Sequence, residues 1–182
     1  SDLVALMVLE HQTQMHNALA AANYETRLAL HQSYEMNAIL ERPVDWISET
    51  AQRRIDAVVE EVVQRLLFCR EFPLQDPVSG TSDFDAEFAG LGPRDSQGRG
   101  LRTFDLRSRL FRYPCSYLIY SESFRRLPPV AHGAIIQRIR TVLTADEAEP
   151  GYEHLSTEDR RAIWEILTET HPDFLVFVND SK

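Results

Sequence analysis

Lysine, cysteine and long apolar runs are all scarce in this sequence, and the last two shortages each close off a class of protein. Of its 19 basic residues only Lys182 is a lysine, a bias that reads as genome composition more than function. Two cysteines, Cys69 and Cys115, make no disulfide framework. They stand either as a single bridge, in an oxidising compartment, or as two buried thiols. Neither lies in a Cys-x-x-Cys-His motif, so the segment does not attach haem covalently in the usual way. No apolar run approaches the roughly 18 residues that a membrane-spanning helix requires, so no membrane span is expected. The opening Ser1-Asp2 has neither the basic start nor the apolar core of a signal peptide. Without an initial methionine, the chain reads as a mature product or, better, as a piece of a longer polypeptide.

Chemical motifs are equally thin. No serine sits in Gly-x-Ser-x-Gly surroundings. Gly90, Gly92, Gly98 and Gly100 match neither a P-loop nor a dinucleotide turn. Cys115 as a nucleophile with a distant histidine base has no recognised motif around it. The His-x-x-x-His spacing of helical zinc sites and the Glu-x-x-His pairs of di-iron bundles are both missing.

What is present is an ordinary globular composition, 43% hydrophobic and 26% charged, in 182 residues. That length suffices for one domain with a substantial core. The net charge of −9 argues against general nucleic-acid binding. The charge is unevenly spread. Residues 94 to 140 carry ten arginines against Asp95, Asp105 and Glu122, a local +7, so the remainder carries −16. The strip reads first as a charge-complementary tie against acidic helices. The sharper reading is a surface for an acidic partner or a phosphate- or propionate-bearing ligand, with Arg107, Arg109 and Arg112 at its centre.

Helical signals dominate. Nothing from Ser1 to Glu41 breaks a helix; Ser1 is a candidate cap and Pro43 ends the element. Such a helix would be about 60 Å long, with a break near Ala21-Ala22-Asn23 as the one alternative. Over 48 to 69, Ile55, Val58, Val59, Val62, Val63, Leu66 and Leu67 recur at helical spacing behind a Ser48 or Thr50 cap. Residues 72 to 102 change character, with three prolines and five glycines. They are expected to wrap the surface as a long irregular insertion, with a short helix at 83 to 89, pinned by Phe72, Leu74, Phe84, Phe88 and Leu91. A turn or short helix over 104 to 113 precedes a helix from about Pro114 to Leu127. Further helices start at Pro128-Pro129 and at Ser156, the latter close to a capping box with Asp159 and stopped by His171-Pro172. The closing "FLVFV" is expected to dock as a tail. The prediction is an all-α bundle of five to six helices, a single helical domain over 1 to 182.

The stretch "EHQTQMHN" holds the most suggestive side chains. On one straight helix His11 and His16 point about 140° apart, so they do not share an ion. His11 falls beside Val4, Val8, Met15, Ala22 and Ala29. It is expected to be a buried histidine bonded to a carbonyl or carboxylate, with an axial haem ligand as the alternative. His16 shares a stripe with Ala20, Asn23, Arg27, His31 and Tyr34, read as a polar seam between helices, but it lies about 22 Å from His31 along the axis. His132, His154 and His171 are assigned capping and dipole roles at helix ends.

Several stretches together, "SDLVALMVLEHQTQMHN", "NYETRLALH" and "GPRDSQGRGLRTFDLRSRLFRYPCSYLIYS", resemble the carboxy-terminal helical part of large, poorly characterised bacterial exported proteins that contain a cytochrome c domain. The resemblance spans most of the chain. It implies a non-catalytic helical domain in the periplasm or cell envelope. Its partners would be other domains of the same polypeptide, and any haem would be carried upstream. Because the attachment motif is absent here, no haem role passes to any residue by motif. The competing expectation is a haem- or metal-binding bundle using His11, His16 or His31.

Overall fold

A computed structural model describes residues 2–179. The predicted cap at Ser1 lies outside those residues, and Asp2 takes its place. Its side chain accepts from the Ala5 N–H and opens α1, an unbroken helix over Leu3–Ile39. The rod ends in an αL residue, Glu41, with the Arg42 N–H returned to the Asn37 carbonyl at 3.0 Å. Ser48 caps α2, Glu49–Leu66. The two helices run antiparallel. Asn37 donates to the Trp46 carbonyl at 2.7 Å, Arg54 meets Glu25 at 2.7 Å, and Arg65 reaches Gln14 at 3.4 Å. Small side chains on α1 (Ala22, Thr26, Ala29, Ser33) form its buried seam, and α2, packed against α1, buries Ala51 and Ile55.

The remaining elements follow as α3 (Phe84–Ala89), a 3₁₀ turn (Tyr117–Tyr120), α4 (Glu122–Arg125), α5 (Pro129–Thr144), α6 (Thr157–Thr170) and α7 (Pro172–Asn179). The fold is all-α, and the described residues contain no strand. α2 packs on α5, α5 on α6, and α6 on α7. Pro129 sits in the first turn of α5, where its missing N–H costs no bond, and Ser156 caps α6 by accepting from the Asp159 N–H. The closing apolar run is therefore a helix, anchored by Phe174, which is fully buried.

The single helix expected over 114 to 127 does not form. The chain makes one antiparallel bridge between Phe104 and Phe111, then the 3₁₀ turn and α4 as separate pieces. Two serines divide them: Ser116 accepts from the Leu118 N–H and Ser121 from the Phe124 N–H. Side chains that bond their own backbone in this way compete with continuous helix.

The 72–102 segment is ordered, with α3 inside it, and Phe84 packs against the core as expected, but two of the five expected anchors do not hold. Phe88 is buried, whereas Phe72 is 79% and Leu91 58% exposed. Asp2 ties the wrap down by accepting from the N–H groups of Thr81 and Ser82 and from the Ser82 hydroxyl. Gly80 permits this approach, since a Cβ there would lie 2.7 Å from the Asp2 carboxylate.

Candidate functional site at the His11 cavity

The helical register of α1 places His11 on the buried face with Val8 and Met15. Its Nε2 shares a 2.7 Å hydrogen bond with Ser116 Oγ, so the partner is a hydroxyl, not the carbonyl or carboxylate expected. Its ring stacks on Phe68, centroids 4.5 Å apart and 18° between planes. Phe68 arrives there by an unusual route. α2 closes with the Cys69 N–H on the Gln64 carbonyl and the Phe68 N–H on the Arg65 carbonyl, a Schellman ending. The left-handed position of that motif normally belongs to glycine. Here it is Phe68, with φ +58.

Behind the stack lies an aromatic cluster. Phe111 and Tyr117 contact His11, and Phe88 contacts both of them. The Arg102 guanidinium sits 4.6 Å from the Phe88 ring centroid and 4.2 Å from that of Tyr117. Burial pulls the Arg102 pKa down from its usual value. Burial likewise brings the His11 pKa down to about 4, so the imidazole is neutral at pH 7.

In front of the stack is a cavity of about 340 Å³, lined by Met7, His11, Phe68, Glu71, Phe72 and Leu110 among others. This is the small end of the range for ligand pockets. With Nε2 engaged by Ser116, Nδ1 is the His11 nitrogen left without a partner among the described residues. Glu71 Oε1 accepts from the Leu110 N–H at 2.8 Å. Burial pushes the Glu71 carboxyl above its ordinary pKa, against that hydrogen bond and the pull of Arg109.

A histidine on a serine hydroxyl has the form of a hydrolytic dyad, but this serine cannot attack a substrate. Ser116 is fully buried, its Oγ also takes the Leu118 N–H, and its own N–H is held by the Leu66 carbonyl at 2.7 Å. The thiols are no better as nucleophiles. Cys69 and Cys115 are unbridged, and burial pushes both up to about 12.

The other predicted residues lie elsewhere. His16 is exposed, at the edge of a second cavity with Gln12, Leu19 and Leu118. His31 is exposed and pairs with Glu35 at 3.3 Å. Arg27 and Tyr34 are exposed too, so the stripe read as a seam between helices faces solvent. Periodicity fixed its direction on α1 but not whether anything covered it. His154 and His171 donate to the carbonyls of Leu67 and Ile119, tying loops to helix ends.

The arginine strip lies largely against acidic groups of the same chain. Arg109 meets Asp159 at 3.3 Å, and Arg112 meets Asp159 and Glu158 at 3.7 Å. Arg138 bridges Glu60 and Glu149, and Arg99 joins the buried Asp95 to Glu165 on α6. Arg107 is exposed and makes no ion pair among the described residues.

Sequence reasoning missed Phe68, Glu71, Arg102 and Ser116. Ser116 is 105 positions from His11, and nothing local marks it. The absence of glycine within "RLLFCR", where α2 ends, is the one legible hint that this helix end is unusual. Compared with family models, curated proteins and solved structures, the chain matches none.

Proposed function

We propose that this chain is a non-catalytic helical domain that acts by contact. Its partner would be the haem-bearing region of an exported redox protein that the sequence resemblance implies. The observation that carries the contact reading is the far end of the α1–α2 pair. Tyr34, Met36, Ile39, Leu40, Val44 and Trp46 cluster within 13 residues there and are all exposed, Ile39 by 74%. Apolar groups gathered in this way mark interaction surfaces more often than isolated exposed residues do. The buried Ser116 and the high-pKa thiols agree with a role that involves no covalent chemistry. A haem titration of the purified chain tests the reading: no stoichiometric Soret band is expected, and a tight one overturns it.

A second reading, a haem- or metal-binding bundle, is favoured by one observation: His11 lines a cavity and its Nδ1 has no partner among the described residues. Among the described residues no three His, Cys, Asp or Glu side chains are grouped to hold a metal, so a ligand set would have to include other donors. Elemental analysis of the native chain and His11→Ala decides it, because the reading requires bound metal that the variant loses.

A further inference from the structure

We propose that the cavity beside His11 binds a small organic cation, a primary amine bearing an apolar or aromatic group, with Glu71 as its counter-charge. The inference is independent of the exposed end of the helix pair, so either can fail without the other.

Four groups in the wall carry formal charge: Glu10, Arg65, Arg70 and Glu71. The two guanidinium groups are already committed, since Arg65 Nε meets Glu61 at 2.7 Å and Arg70 meets it at 2.9 Å. Glu10 is exposed and accepts from Gln14. Glu71 is different. It is partly buried, it makes no ion pair among the described residues, and the cation acting on it, Arg109, is itself paired with Asp159. One of its oxygens takes the Leu110 N–H, and the other has no donor among the described residues. A carboxylate held in this way is stabilised by any cation that enters.

The rest of the wall suits such a guest. An ammonium has three donors. Glu71 can accept one and Nδ1 of a neutral His11 another, whereas an imidazolium would repel it. Ser116 Oγ holds the other ring nitrogen, leaving Nδ1 free to accept when Nε2 carries the proton. Met7, Met15, Phe68, Leu74 and Leu110 supply apolar walls for the tail. Phe72 stands at the mouth with its ring largely in water, placed to cover a bound ligand and to add a cation–π contact. An anionic guest would meet Glu10 and Glu71, and the two guanidinium groups it could use instead are already held by Glu61.

Calorimetry on the whole chain at pH 7 with three probes of one shape tests this: 2-phenylethylamine, 2-phenylethanol and 3-phenylpropanoate. The amine is expected to bind, with the alcohol and the carboxylate at least about tenfold weaker, the loss of one charge-assisted hydrogen bond. Glu71→Gln keeps an oxygen for the Leu110 N–H and is expected to weaken the amine by a similar factor, with circular dichroism confirming its fold. If that variant does not fold, the comparison of probes on the native chain decides alone. No amine binding at millimolar concentration, equal affinity for the alcohol, tighter binding of the carboxylate, or a folded Glu71→Gln that binds as before would each overturn the proposal.

Discussion

Phe68 allows a sharp test of the site because two opposing effects meet at one residue. Its ring is buried and stacked on His11, while its backbone occupies the left-handed region at φ +58. Removing the ring forfeits about 2 kcal/mol of apolar burial, the lower part of the range because one side already borders a cavity. The stack adds about 1 kcal/mol. Phe68→Ala is therefore expected to lower stability by about 3 kcal/mol, near the usual figure for a phenylalanine truncated in a core. Phe68→Gly removes the same ring but also the Cβ that makes the left-handed conformation unfavourable, a relief of about 1 kcal/mol. Glycine should thus be the more stable of the two variants, the reverse of their usual order in a folded segment. Urea unfolding with linear extrapolation reads the difference. At this chain length it corresponds to about 2–4 °C in Tm. Phe68→Ala at least as stable as Phe68→Gly would refute the left-handed ending of α2.

Four more outcomes follow from the same structure. His11, at about 4 when folded against 6.5 as its ordinary value, binds fewer protons in the native state, so its contribution is intact above pH 6.5 and is lost as pH falls towards 4. The full loss is about 3 kcal/mol, and the pH dependence of urea unfolding should flatten in that window for His11→Leu. His11→Leu should also melt above His11→Asp, since leucine suits the apolar face while aspartate buries an unpaired charge. Equal melting temperatures would refute that placement. Asp2→Ala should speed amide exchange at Thr81 and Ser82, whose N–H groups the carboxylate holds; unchanged rates would show that the wrap is anchored elsewhere. Both thiols should resist iodoacetamide at pH 7.5 and react on unfolding; rapid native labelling would contradict the burial of Cys115 and the raised pKa of both.

The main helices were legible because their signals are local. Ser48, Pro129 and Ser156 open α2, α5 and α6 where capping chemistry places them, and the apolar spacing from Ile55 to Leu66 gives the buried face of α2. The register of α1 also carried His11 to the correct side. Legibility failed wherever the deciding partner was distant. Ser116 interrupts a stretch whose composition alone reads as one helix, and it is held there by the Leu66 carbonyl and the His11 ring, both far off in the chain. The cavity is built from α1, the end of α2 and the loop at Leu110, so no window of sequence contains it. The stripe from His16 to Tyr34 failed for another reason: helical phase says which residues share a face, and only the packing of other elements says whether that face is dry.

The last carbonyls of α2, which in most helices open to water, are claimed by remote segments. Leu66 receives the Ser116 N–H and Leu67 receives the His154 ring, while the next residue, Phe68, lies flat on His11. Fraying this terminus means releasing the aromatic cluster, the loop before α6 and the first helix together. Amide protons at the terminus should consequently exchange only when the whole molecule opens, at one common rate with those in the middle of α5.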